Sequence, residues 1–460
     1  MERKPEVVIL GAGYVGLTLG LLISSRKIPV LLLDTDAAKV EQLQRGRSTI
    51  YESGIQEQLR EALAAGTLQF SSQPPAEGAN LWIVAVPYLP REFAGGGEER
   101  YLECLRSVRG SGSRPPVVMI RSTLPVGFTR SKLLPRLAEH LGGALDQRFF
   151  VTVCPERTVT GVALQELAGT PQLVGGSTAS IAQTLPFFER CGISCIGLES
   201  FEAAELGKSF CNLSRLAQFN LSNFFGLCCE QFGINAQELL QALSAHYPRL
   251  QLPVPGPGVG GSCLPKDSLV LFDGLTDAVL KNLPEGSPAR QVWATPRQQY
   301  LLNEQIISDA AQAVLNFTAP VASSPILALG IAFKGVPRTD DTRNSVGLRI
   351  VQALQRDRRD VRVHDLTVPE SSIKTLGLRP ASLPLDLSAY SAVLLLNNDP
   401  GTLDLLSSAL SSNASGTLRL YDPWRLILSD HPTVFAQSVP LSRLYEQLRP
   451  RDTVEAALRR

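Results

Sequence analysis

Short apolar runs recur along the first third of the chain, separated by helical or glycine-marked stretches. The segment "EVVILGAGYVGLTLGLLISS", from Glu6, predicts a buried strand, a glycine turn and a helix, and "IPVLLLDTD", from Ile28, predicts the next strand. Three further runs, "LWIVAVP", "PVVMIRST" and "RFFVTVCPE", are continuously apolar rather than alternating, as strands covered on both faces are. Together they predict a parallel sheet built from βαβ units.

Residues 199–232 contain no proline, and Gly233 follows where a helix C-terminus belongs, so this stretch predicts one long helix. Asn235 and Glu238 make a capping-box-like start for a second helix. Beyond a proline-rich connection around 284–296 and more helix, strands return at "PILALGIAF", "VRVHD", "AVLLLN" and "TLRLYD". The fold class expected is α/β, with two Rossmann-like, doubly wound parallel-sheet domains joined by a long central helix. The boundaries expected are 1–198, 199–315 and 316–460, with "AGGGEE" at 94–99 as a mobile loop.

Composition narrows the function classes. A chain of 460 residues with 44% hydrophobic residues and a net charge of +1 is globular and multidomain, with no overall field to attract nucleic acid or an anionic membrane. No apolar run reaches the length of a membrane span, and the N-terminus lacks a cleavage pattern, so a cytoplasmic protein is expected. Eight cysteines and four histidines are too few and too scattered for a disulfide scaffold or a metal site.

Gly11, Gly13 and Gly16 form G-x-G-x-x-G between a predicted strand and a predicted helix, with Tyr14 and Val15 inside the motif and Asp34 ending the second strand. Such a turn brings backbone amides to a pyrophosphate at a helix N-terminus, while the acid accepts hydrogen bonds from a ribose. Asp34 repels a 2′-phosphate and favours NAD over NADP; nearby Lys39 softens that preference. Lys208, Asn212 and Arg215 share one helix face, which is either solvated surface or the wall of a polar cleft. Thr123 and Glu156 follow predicted strands whose ends border the ligand crevice, although a helix cap and an arginine partner explain them equally. Cys263 stands in "PGPGVGGSCLPKD", where a flexible turn competes with close approach of another molecule to bare backbone.

Taken in order, "GAGYVG", "STLPVG", "CPER", "AELGKSFCN", "PGPGVGGSCLPKD", "GIAFKG" and "DDTRNS" resemble the nucleotide-sugar 6-dehydrogenases, which include UDP-glucose dehydrogenase and the UDP-N-acetylhexosamine dehydrogenases. The resemblance implies an NAD domain, a central dimerisation segment and a C-terminal domain holding a UDP-sugar, in a homodimer or larger assembly. It further implies oxidation of a sugar C6 alcohol to a carboxylate at the expense of two NAD⁺, with Cys263 as nucleophile, Lys208 stabilising negative charge and Asn212 orienting an oxygen. Asp267 and Glu156 share acid/base work, with Thr123 beside them. Arg157 and Gly260 fall in matching motifs as sugar-nucleotide contacts, and Arg215, on the helix face of Lys208 and Asn212, is expected to join them. Lys334 and Arg343 match positions that meet the UDP part, and Arg249 one that reaches a neighbouring subunit's site.

Two departures stand out. Tyr88 in "VPYLP" replaces a threonine of the family pattern, and the connection from Lys334 to Asp340 is about two residues longer than usual by eye against that pattern. "CPER", "HYPR" and "PGPGVGG" resemble the N-acetylhexosamine branch and "SCLPKD" the glucose branch, so a UDP-N-acetylhexosamine is favoured. Two rivals remain. A nucleotide-sugar epimerase needs Tyr-x-x-x-Lys, which is absent; a non-catalytic NAD or sugar-nucleotide sensor predicts decay of the chemical residues, which are all present.

Overall fold

Continuous apolar runs become fully buried strands. The computed structural model describes residues 4–93, 96–112, 114–412, 419–424 and 438–439. Eight strands form the first sheet: β1 Val7–Leu10, β2 Val30–Leu33, β3 Leu68–Ser71, β4 Leu81–Val84, β5 Val117–Ile120, β6 Phe150–Val153, β7 Gln172–Gly176 and β8 Cys195–Leu198. Their order is β3-β2-β1-β4-β5-β6-β7-β8. β1 lies between β2 and β4, pairing Val7 with Val30 on one side and Leu81 on the other. The strand order reverses between β1 and β4, which opens a crevice at their carboxyl ends. Buried side chains cover both faces, with Ile9, Leu32 and Ile83 on one side and Val8, Trp82 and Val118 on the other.

The second sheet comprises β9 Ile326–Leu329, β10 Val361–His364, β11 Arg379–Pro380, β12 Ala392–Leu395, β13 Arg419–Tyr421 and β14 Ser438–Val439. All of its pairings are parallel, in the order β11-β10-β9-β12-β13-β14. Two doubly wound α/β sheets are therefore present, as expected.

Tertiary contacts divide the chain into two units. Met1–Leu213 with Lys266–Gln298 form the first, and Ser214–Pro265 with Gln299–Arg460 the second. The long helix runs Phe201–Gln231, two residues inside its expected start, because the Ser200 hydroxyl accepts the Ala203 amide and caps it. Gly233 follows at φ +69°. Asn235 caps the helix Ala236–Ser244 by accepting from the Gln237 and Glu238 amides.

Several features depart from the sequence reading. β7 runs antiparallel to β6, so the first sheet is mixed rather than wholly parallel. β3, β7, β8, β11 and β14 go unread in the sequence. β3 alternates buried and half-buried positions and β8 is largely exposed, so neither carries a continuous apolar run. Within "AGGGEE", residues 94 and 95 lie outside the described residues, while Glu98 and Glu99 begin a short helix, Glu98–Glu103, instead of a loop.

Candidate functional site

The turn after β1 is shaped for a phosphate. Gly11 sits at φ +101°, where a side chain is strained, and a Cβ there would lie 3.0 Å from the Ala85 carbonyl oxygen. A Cβ on Gly16 would overlap the Gly11 carbonyl oxygen. Gly13, by contrast, faces open space and caps the helix Tyr14–Ser25 without a side chain, leaving its first amides, including that of Val15, for a ligand.

Asp34, just beyond β2, closes the turn from the side. Its Oδ2 accepts the Ala12 amide at 3.0 Å and the Lys39 ammonium at 2.8 Å, and its Oδ1 accepts the Asp36 amide at 3.0 Å. Burial alone would raise this carboxyl, but Lys39 and the two amides hold it below the usual carboxylate range. These residues fit a dinucleotide: bare amides for the pyrophosphate and a fixed carboxylate for the ribose.

The second sheet repeats this geometry in closed form. Asp365, just beyond β10, gives one oxygen to the Ile331 and Ala332 amides at 2.7 and 2.9 Å and the other to the Thr367 and Val368 amides. Ser345 caps the following helix, Val346–Arg356, by accepting the Leu348 amide at 3.2 Å. Asp365 thus takes two more main-chain amides than Asp34 does, and its following helix has the side-chain cap that the helix after the first turn lacks.

Within the first unit, three donors converge on Asp267, which is 2% exposed. Asn212 Nδ2 donates to Oδ2 at 2.6 Å, Thr123 Oγ1 donates to the same oxygen at 3.3 Å, and Lys266 Nζ donates to Oδ1 at 2.5 Å. Asp267 lies in the first turn of the helix Leu264–Ala278, Asn212 on the long helix and Thr123 on the loop after β5. Lys266 is a group the sequence reading missed, although its place beside Asp267 in "PKD" is a signal.

Glu156 lies beyond β6, ion-paired to the buried Arg121, which also reaches Gln172 Oε1 at 2.8 Å. Glu156 Oε1 accepts the Arg157 and Thr158 amides at 2.7 and 2.8 Å. Burial pushes the Glu156 carboxyl up, but the Arg121 guanidinium, the Thr158 amide and the Lys208 ammonium outweigh it and hold it below its ordinary value. Lys208 is half-buried, whereas Arg215 on the same helix is exposed. The Arg157 guanidinium is bonded to the Pro171 carbonyl.

A second buried carboxylate, Glu205, stands one helical turn before Lys208. It accepts the Gly127 amide at 2.7 Å and the Thr129 amide at 3.0 Å, holding the loop that carries Thr123. Burial pushes its carboxyl up to about 7 despite those hydrogen bonds. Nothing in its helical spacing distinguished it from an ordinary surface acid. Tyr88 is 1% exposed and packs edge-on against Tyr101 and Phe128, with no described group in hydrogen-bond reach of its hydroxyl.

Within the second unit, the glycine-rich stretch approaches protein. A Cβ on Gly260 would lie 2.7 Å from the Asn344 carbonyl oxygen, and one on Gly261, at φ +88°, would lie 2.8 Å from the Phe333 ring. Asn303 fixes the stretch by accepting the Val259 amide at 2.8 Å and donating to the Val259 carbonyl at 2.9 Å. Cys263, immediately before the helix Leu264–Ala278, is exposed, with the Ser262 hydroxyl 3.8 Å from its sulfur. Arg343 makes a bidentate pair with Asp341 at 2.7 and 2.9 Å, Lys334 lies 5.4 Å from the Phe333 ring centre, and Arg249 lies over the Tyr247 ring.

Two doubly wound α/β sheets, with a turn after β1 that fits a dinucleotide, place the chain among nucleotide-binding α/β proteins. Models of the UDP-glucose/GDP-mannose dehydrogenase family match the chain in all three parts: the NAD binding domain at residues 5–187, the central domain at 202–281 and the UDP binding domain at 327–424. The chain belongs to the UDP-glucose/GDP-mannose dehydrogenase family, and residues 5–187, which carry β1 to β7, are its NAD-binding domain.

The UDP-N-acetyl-D-mannosamine dehydrogenase of Pyrococcus horikoshii is 30% identical over 369 residues, covering 78% of this chain and 83% of that protein. An NDP-N-acetyl-D-galactosaminuronic acid dehydrogenase of Ralstonia solanacearum is 27% identical over 87% of this chain and 90% of its own length. Among solved structures, UDP-D-ManNAc dehydrogenase from Pyrococcus horikoshii superposes with a TM-score of 0.76 at 26% identity, covering 92% of this chain and 96% of that one. The UDP-glucose dehydrogenase of Pyrobaculum islandicum shares the fold, with a TM-score of 0.77 over 96% of this chain and 98% of its own at 24% identity. Among the described residues no helix is long and apolar enough to cross a membrane.

Proposed function

We propose that this chain oxidises the C6 alcohol of a UDP-N-acetylhexosamine, in preference to UDP-glucose, to the uronic acid, with two NAD⁺ consumed. The observation that carries the reading is the convergence of Asn212, Thr123 and Lys266 on buried Asp267, in the helix that Cys263 immediately precedes. A carboxylate so fixed is an expensive way to hold a fold together and a good way to hold a proton acceptor.

NAD⁺, when bound, supplies the hydride acceptor. The alcohol proton goes to Asp267 as the C6 hydride leaves, giving an aldehyde. Glu156, held as a carboxylate by Arg121, serves as a fixed acceptor for the sugar or a water. The Cys263 thiolate then adds to the aldehyde carbon, and Lys208 with Asn212 stabilises the oxyanion. Loss of a second hydride turns the thiohemiacetal into a thioester, and water cleaves it to the carboxylate and the free thiol. Lys334, Arg343 and Gly260 hold the UDP part, with Arg157 and Arg215 toward the sugar.

Arg249 belongs in this reading to the site of a second copy of the chain. Phe224 and Phe232, 53% and 79% exposed on and just after the long helix, support an assembly of at least two copies. A cytoplasmic location suits a reaction that needs Cys263 as a free thiol. A preference for N-acetylhexosamines is supported by the relatives, of which the Pyrococcus horikoshii protein is named for N-acetylmannosamine.

The test is to incubate purified protein with NAD⁺ and a panel of UDP-hexoses and UDP-N-acetylhexosamines. The expected result is two NADH and one uronic acid per sugar, fastest with an N-acetylated substrate. One NADH per sugar, or no turnover of any of them, defeats the reading.

A further inference from the structure

Glu52 is 5% exposed and precedes the helix Ile55–Ala64. Its partners are a phenol and two backbone amides, none of them charged. Oε2 accepts the Tyr14 hydroxyl and the Gly161 amide, the latter at 2.9 Å, and Oε1 is 3.5 Å from the Leu164 amide. The Gly161 amide is also 2.8 Å from the Tyr14 oxygen. Burial and the neighbouring Glu52 carboxylate push the Tyr14 hydroxyl well above its usual range, so it stays a phenol and keeps donating.

Burying a carboxylate with no cation beside it among the described residues is costly, and stability alone is served as well by an apolar side chain. What the carboxylate adds is geometry. Tyr14 is the first residue of the helix that follows the dinucleotide turn, and Gly161, at φ +96°, ends the segment that leaves β6 through Glu156 and Arg157. That segment is pinned at its other end by Glu156, which accepts the Arg157 and Thr158 amides. Three stretches remote in sequence therefore meet at one carboxylate, and in the reading above two of them serve different ligands.

We propose that Glu52 is a positioning residue that couples the two ligands: through the Tyr14 hydroxyl and the Gly161 amide it locks residues 156–162 to the turn that takes the dinucleotide, so that NAD⁺ binding orders the segment carrying Glu156 and Arg157. The sugar half of this coupling rests on the reading above; the NAD⁺ half stands on family membership and geometry. By linkage, the sugar nucleotide tightens NAD⁺ binding by the same factor.

Two measurements test it on the full-length protein. The first is hydrogen exchange of peptides covering 156–164, with and without NAD⁺, in wild type, Glu52→Ala and Tyr14→Phe. In wild type NAD⁺ slows exchange there; in both variants that slowing shrinks by roughly 5-fold or more, the size expected when a hydrogen bond holding a local segment is lost. The second is steady-state kinetics of Glu52→Ala with the UDP-sugar, in which KM for the sugar rises by about 10-fold while kcat stays within about 3-fold, the split expected when substrate positioning is loosened.

Wild-type-sized slowing in both variants overturns the proposal, as does a fall in kcat with KM unchanged. If Glu52→Ala does not fold, Tyr14→Phe, which removes one hydroxyl, decides by exchange alone. If wild type turns over no UDP-sugar, the functional reading fails, and the exchange measurement with NAD⁺ still decides the coupling.

Discussion

Asn212 donates its side-chain amide to Asp267 at 2.6 Å across 55 residues of sequence, joining the long helix to the first turn of the helix Leu264–Ala278. Replacing Asp267 with Asn turns that contact into amide against amide and leaves the Lys266 ammonium without its carboxylate. The expected outcome is a fall in kcat of about 10²–10⁴-fold, the range for removing an acid/base group. NADH affinity, read by fluorescence titration, stays within about 2-fold, because the dinucleotide turn is a separate structure. Turnover within a factor of about 10 of wild type would remove Asp267 from the chemistry.

In the proposed mechanism Cys263 separates four-electron from two-electron oxidation. Cys263→Ser keeps nearly the same volume with a far weaker nucleophile, so folding and NAD⁺ binding survive while the second oxidation or its hydrolysis stalls. Overall turnover drops by about 10²–10⁴-fold. NADH per sugar and the mass of the cysteine peptide are the quantities to measure. Two NADH per sugar at near-normal rate in the variant rules the covalent route out.

Lys39 pairs with Asp34 at 2.8 Å, and if Asp34 takes the ribose, Lys39 neutralises part of the charge that would reject a 2′-phosphate. Both side chains retain some solvent, so the pair is worth a modest amount. Lys39→Ala should therefore sharpen the preference for NAD⁺ over NADP⁺ by about 3–10-fold in kcat/KM. A ratio that moves toward NADP⁺ contradicts the assignment of Asp34 to the ribose.

Glu205 has an ordinary value of 4.5 and is raised by burial to about 7 in the folded chain. Between those values the folded state holds more proton than the unfolded state, so stability falls as pH rises from about 4.5 to about 7 and is flat beyond. The size is on the order of 3 kcal/mol. Glu202 and Arg130 are the charged neighbours that also act on or feel this group. In Glu205→Gln that part of the pH dependence disappears, and denaturant midpoints at pH 5 and pH 8 should differ less than in wild type. An unchanged difference shows that Glu205 titrates at its ordinary value.

Much of the architecture was legible in the sequence for a local reason. Strands covered on both faces are continuously apolar or nearly so, and β1, β2, β4, β5 and β6, and later β9 and β12, announce themselves within a few residues each; β10 and β13 were legible from shorter apolar runs that include an arginine. The glycine turn and Asp34 are likewise short-range devices, because a phosphate-binding turn needs bare backbone beside a helix start. Helix caps at Asn235 and Gly233 follow the same rule.

Tertiary structure alone decided which polar residues share a carboxylate. Asp267 meets Thr123 from 144 residues away, Glu156 meets Arg121 from 35, and Glu52 meets Gly161 from 109. No spacing rule connects such positions, since packing of whole helices and loops brings them together. The same holds for Tyr88, whose ring is buried by Tyr101 and Phe128, and for the antiparallel turn of β7 against β6. Burial is also a property of the folded chain: Glu205 and Glu202 lie three residues apart on one helix, yet burial raises the first and the Arg130 ion pair lowers the second, because one faces the Gly127 loop and the other solvent.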